Sequence, residues 1–133
     1  MHADKKIKYD YAVIRVVPKV EREEFVNAGV IVSCPPLEYL DARIDLNEQK
    51  LKALDPSIDM ELIRSYLAAI PVICKGGETA GPVGLLSLRE RFHWLVSPRS
   101  TIIQTSPVHS GYCKDPAEAL DHLLNTMVRQ PVK

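Results

Sequence analysis

Aromatic side chains are scarce in this 133-residue chain, with two Phe, one Trp and five Tyr, so a core has to be built from Val, Ile, Leu and Ala. Such a core suits a small α+β domain, long enough to bury roughly two thirds of the surface its unfolded chain exposes. An excess of one charge is missing too. Seventeen basic residues face seventeen acidic ones, so no long-range field draws the chain to nucleic acid or a membrane surface. The first ten residues, MHADKKIKYD, hold no apolar run of signal-peptide length and no stretch reaches a membrane span, which predicts a cytoplasmic protein. Cysteine is sparse and odd in number. Cys34, Cys74 and Cys113 lie far apart and read as reduced thiols, not as a disulfide framework.

Known catalytic and metal-binding motifs are also missing. The nearest approach to a zinc pattern is His109 with Cys113, which is two ligands and not a site. None of Ser100, Ser106 and Ser110 sits in a nucleophile elbow. In KGGETAGPVG the lysine precedes the glycines, whereas a phosphate loop needs it after them. These gaps argue against an enzyme and leave no cofactor or metal to expect.

What is present reads as a sequence of short elements. Tyr9 to Val17 is almost uninterruptedly apolar and is closed by Pro18, which makes it a central strand preceded by a loosely held tail over residues 1–7. Phe25 to Cys34 returns as the second strand of an antiparallel hairpin, with Ala28 and Gly29 marking a bulge or a close backbone approach. Tyr39 to Ile44 alternates Leu40, Ala42 and Ile44 against Asp41 and Arg43 and forms a third strand. Asp45 and Glu48 have capping-box spacing for a helix through Leu54. A second helix, from about Asp59, carries Met60, Ile63, Leu67 and Ile70 on one stripe until Pro71 ends or kinks it. The four glycines within 75–84 predict a mobile surface loop.

Ser87 and Glu90 then form a capping box for a helix that stops near Val96, before Pro98. Thr101 to Thr105 is β-branched almost throughout and predicts a strand. Asp115, Pro116 and Glu118 open the last helix, whose apolar stripe runs over Leu120, Leu123, Leu124, Met127 and Val128 to Pro131. The sum is one α+β domain over 1–133, a two-layer sandwich of a mostly antiparallel sheet of about four strands, with helices packed on one face.

Candidate functional residues gather between Ser87 and Gly111, with Trp94, two of the four His and three Arg. Arg91 and Arg99 flank a connection where Ser97, Ser100 and Thr101 offer hydroxyls. No Asp or Glu stands between 91 and 114, so these donors can collect around an anion. The plainer reading has Arg99 holding a carboxylate elsewhere, such as Glu24 or Asp41. Arg15 shares a strand face with Tyr11, Val13 and Val17, so its charge must reach the rim or meet a carboxylate. Asn27 is a bulge-satisfying amide or a ligand contact.

These strings resemble the bacterial domain-of-unknown-function family numbered 3037. The resemblance rests on YDYAVIRVVPKVEREEFVNAGVIVSCP at 9–35, AGPVG at 80–84, ERFHWLVSPRSTIIQTSPVHSG at 90–111 and DP at 115–116. It implies no activity, because the family has none assigned. It does suggest a context, since genes of this family often lie beside genes for kinases similar to the HipA toxin kinases. Family-like positions include Arg15, Glu24, Asn27, Gly29, Arg91, Trp94, Arg99, Ser100, Thr101, Gln104 and His109.

Two functions follow. The first is a non-enzymatic accessory or regulatory protein that binds a protein partner, by resemblance a HipA-like kinase, through surface residues such as Trp94, Arg91 and Arg99. The second is an enzyme or sensor acting on a phosphorylated small molecule or nucleotide, which requires Arg15, Arg91, Arg99 and His109 to converge. A nucleic-acid module is disfavoured, for want of a basic field and stacking aromatics.

Overall fold

A computed structural model describes residues 5–129. Five strands form one antiparallel sheet around the first of them: β1 (Ile7–Val16), β2 (Val26–Cys34), β3 (Tyr39–Ile44), β4 (Ile103–Thr105) and β5 (His109–Cys113). Four helices accompany them: α1 (Glu48–Leu54), α2 (Met60–Lys75), α3 (Leu88–Val96) and α4 (Pro116–Leu123), the last running into a π-turn over Leu124–Val128. The fold is the expected α+β sandwich. Of the tail expected over 1–7, residues 1–4 lie outside the described residues, and Ile7 already belongs to β1.

β1 is central because it has partners on both sides. β2 takes Asp10–Val16 on one side, while β4 pairs with Ile14–Val16 and β5 with Ile7–Tyr11 on the other. Where β1 changes partner, the buried Ser106 completes the ladder: its N–H donates to the Val13 carbonyl, and its hydroxyl accepts the Val13 N–H at 2.8 Å. The small residues of β2 do what their size suggested. Ile14 pairs with Gly29 and Arg15 with Asn27, so Ala28 is the extra residue of a bulge.

The sheet buries both faces. Ile14, Val16, Ile31 and Ala42 point to one face, which is covered by α1, α2 and α3 through Leu51, Ile63, Leu67, Phe92 and Leu95. The opposite face, with Val30 and Val32, is covered by Leu120 and Leu123 of α4 and Leu124 of the π-turn. The helices are therefore not confined to one face: the C-terminal helix adds a third layer. Its stripe was legible, but an amphipathic stripe does not say which face of a sheet it will cover.

Several local expectations are corrected. α1 is capped by Asn47, whose side chain accepts the Lys50 N–H. Asp45 stays with the sheet, its N–H bonded to the Ala28 carbonyl of β2, and its carboxylate is taken by Arg129. α2 runs through Pro71 to Lys75. The proline removes one helical hydrogen bond, but Ile70 and Cys74 on either side are buried and hold the helix on the sheet. The glycine-rich segment is built, not loose. It folds into two 3-10 turns, Glu78–Ala80 and Pro82–Leu85, with Gly84 buried against the Gly77 carbonyl. β4 is shorter than Thr101–Thr105, and β5 was not expected at all.

Both lateral edges of the sheet carry a local guard. At β3 the odd-numbered residues face β2, and the outward N–H of Ala42 is taken by the Asp41 carboxylate at 2.8 Å. At β4 the Ile103 carbonyl is taken by the Thr101 hydroxyl at 2.8 Å.

Candidate functional site

The capping box at Ser87 and Glu90 is formed, each side chain accepting the other residue's backbone N–H. It starts α3, and Pro98 follows its end. The last carbonyls of such a helix lack partners, and here side chains supply them. The Ser97 hydroxyl donates to the His93 carbonyl at 2.7 Å. Arg99 donates to the Trp94 and Leu95 carbonyls at 2.6 and 3.0 Å, with its guanidinium 4.6 Å from the centre of the Trp94 ring. Arg99 thus holds neither Glu24 nor Asp41. Glu24 pairs with Arg22, and Asp41 guards β3. With Thr101 bonded to Ile103, three of the donors that looked anion-seeking, Ser97, Arg99 and Thr101, are engaged by backbone carbonyls, while Ser100 is exposed and lines a hollow with Arg15. Arg99→Ala should therefore lower stability by about 0.5–1 kcal/mol, the size of a lost helix-end interaction. A urea midpoint shift equivalent to 3 kcal/mol would contradict this capping role.

Arg91 lies elsewhere. It is buried on the helix side of the sheet and donates to the Leu86 and Cys74 carbonyls at 3.1 and 3.4 Å, beneath Gly76 of the glycine-rich segment. His109 sits exposed on β5, its ring 5.5 Å from that of Tyr11. Arg15 is four residues farther along β1, about 13 Å at the rise of a strand. The four residues do not converge on one site. Arg15 and Arg99 do line one hollow with Ser100, so the phosphorylated-ligand reading keeps two of the four groups it requires.

Asn27 is mainly structural: its amide donates to the Met127 carbonyl at 3.0 Å and ties β2 to the π-turn, although its Oδ1 is buried without a partner. Arg15 meets no carboxylate. Its guanidinium lies 4.2 Å from the centre of the Phe25 ring, and its Nε is buried and unpartnered.

A polar cluster that the sequence reading missed joins α3 to the sheet. Arg89 donates to the Asp10 carboxylate at 2.7 Å and to the Ser33 hydroxyl at 3.1 Å, and Ser110 donates to Asp10 at 2.6 Å. Burial pushes the Asp10 carboxyl up, but the hydrogen bonds from Ser110 and Arg89 outweigh it and hold the group below the usual carboxylate range. Asp10 is an ionised anchor at neutral pH. The thiols offer no nucleophile either. All three are buried and free, and burial, then the nearby Asp41, pushes Cys74 up to about 12. Among the described residues no group of three or more His, Cys, Asp or Glu is placed to hold a metal ion.

The surface feature best suited to binding is an apolar groove of about 360 Å³ between α2, α3 and β4. Tyr66 and Ile73 form one wall, Trp94 and Leu95 another, and Ile102 the floor. Tyr66 and Trp94 stay 46% and 42% exposed, so large apolar area stands open at its rim. Tyr66, Ala69, Ile70 and Ile73 have the i, i+3, i+4, i+7 spacing of a second stripe on α2, a signal the sequence held beside the core stripe. A larger hollow of about 560 Å³ along β3 is a poorer candidate. Its Arg43, Arg64 and Arg129 are already paired with Asp121, Glu48 and Asp45.

The model of a family described as a protein of unknown function, DUF3037, matches residues 11–128. The chain belongs to the DUF3037 family. The match spans β1 through the π-turn, so the family unit includes both the groove and the bulged hairpin. No curated protein and no solved structure matches the chain. No helix among the described residues is long and apolar enough to cross a membrane.

Proposed function

We propose that this DUF3037 protein is a non-enzymatic accessory module of the cytoplasm that binds a protein partner through the groove between α2, α3 and β4. The observation that carries the reading is the pairing of Tyr66 and Trp94 at the rim of an apolar cleft, with the Arg99 guanidinium over the Trp94 ring. Trp, Tyr and Arg are the residue types that dominate binding energy at protein interfaces. The family resemblance makes a HipA-like kinase the partner to try first.

Trp94 is the only tryptophan, so its emission reports the groove directly. Adding the kinase should shift that emission to the blue as the indole loses water. Tyr66→Ala should weaken binding by roughly thirtyfold, the size of an interface hot spot, with little change in melting temperature. If the co-expressed proteins run separately on gel filtration at micromolar concentration and titrate without heat, the kinase assignment fails.

A further inference from the structure

Resting on the groove reading, we infer that Arg15 forms a carboxylate-reading subsite beside the groove, so the partner segment carries an Asp or Glu side chain next to its apolar anchor. The chain has eight arginines, and seven of them are engaged by an oxygen. Arg22, Arg43, Arg64, Arg89 and Arg129 hold carboxylates, while Arg91 and Arg99 hold backbone carbonyls. Arg15 alone has no oxygen partner among the described residues.

Its position is fixed nonetheless. The side chain leaves central strand β1 at the bulge, and the Phe25 ring lies against its guanidinium at 4.2 Å. An aromatic face holds the guanidinium plane without engaging its N–H groups; Nε is buried, so it is the two terminal nitrogens that stay free for the oxygens of a carboxylate. The hollow it lines, about 260 Å³, adjoins the groove, because Arg99 and Gln104 line both. Glu23 also lines the hollow but makes no ion pair with Arg15. On the wall shared with the groove, Arg99 adds a second positive charge and Gln104 an amide, so that side of the hollow is complementary to an incoming carboxylate. A segment with an apolar anchor against Trp94 and Tyr66 that continues past Arg99 and Gln104 around edge strand β4 meets, on the other face of the sheet, an arginine prepared for a carboxylate.

The test is selection of phage-displayed random dodecapeptides on the full chain, followed by titration of the selected synthetic peptides. The selected peptides should share an aromatic or aliphatic residue and an Asp or Glu at fixed spacing. Arg15→Gln should weaken them tenfold or more, and changing the peptide's acid to its amide should cost nothing further in the Arg15→Gln background. Arg15→Lys keeps the charge and long stem but removes the fork, and should give a smaller, several-fold loss in a folded protein. Selected peptides that lose binding to Tyr66→Ala but not to Arg15→Gln would overturn the subsite and leave the groove reading intact. Peptides sensitive to Arg15→Gln and indifferent to Tyr66→Ala and Trp94→Ala would overturn the groove reading while the carboxylate site stands. Enrichment no greater than on an unrelated protein would overturn both.

Discussion

Arg91→Ala should destabilise the protein by roughly 3 kcal/mol, far more than an ordinary surface substitution. The side chain is 8% exposed and donates to two backbone carbonyls, those of Leu86 and Cys74, on either side of the glycine-rich segment. Removing it strands the buried Cys74 carbonyl, frees the partly buried Leu86 carbonyl and empties the space under Gly76, where a glycine at φ 77° lets the guanidinium approach. Arg91→Met keeps much of the stem volume and should recover part of the loss. Urea unfolding of the three proteins measures this. A change below about 0.5 kcal/mol for Arg91→Ala would return this residue to the list of ligand-binding candidates.

Gly29→Ala is expected to cost about 2–3 kcal/mol through overpacking at the centre of the sheet. An added Cβ would sit 2.5 Å from the Arg43 carbonyl and 2.9 Å from Ile44 Cδ1. The first of these is backbone, so it cannot swing aside. Either β3 moves away from β2 and lengthens the ladder between Gly29–Cys34 and Tyr39–Ile44, or the strand tilts and disturbs the bulge at Ala28. Amide exchange of β3 should accelerate in parallel with the lost stability. If stability holds and only exchange at Ile44 changes, the close approach is softer than its geometry implies.

Most of the fold was legible because its signals were local. The Ser87 and Glu90 spacing, the Asp115–Pro116 opening and the alternation of β3 each require only neighbouring residues. β5 was missed for the opposite reason. His109–Cys113 contains Ser, Gly and an exposed Tyr112, with little strand preference of its own, and it is extended because the Ile7–Tyr11 half of β1 pairs with it. The same limit governs the site. Residue types marked Arg99 and Arg91 as available donors, yet the oxygens that engage them are backbone carbonyls exposed by a helix end and a turn. Arg15, which the sequence marked mainly as a charge in need of a partner, is the one left without an oxygen. Pattern reading finds the donor and not its acceptor, since the acceptor is created by the fold.

Two occupied positions on the edges of the sheet bear on how this protein meets other copies of itself. A bare edge strand recruits any extended chain regardless of sequence, the first step toward domain swapping and fibres. With Asp41 bonded across the outer N–H of Ala42, and Thr101 across the carbonyl of Ile103, a stranger's backbone finds those positions already answered. At those two positions indiscriminate backbone pairing is opposed and recognition falls to side chains, where a partner's identity can be read.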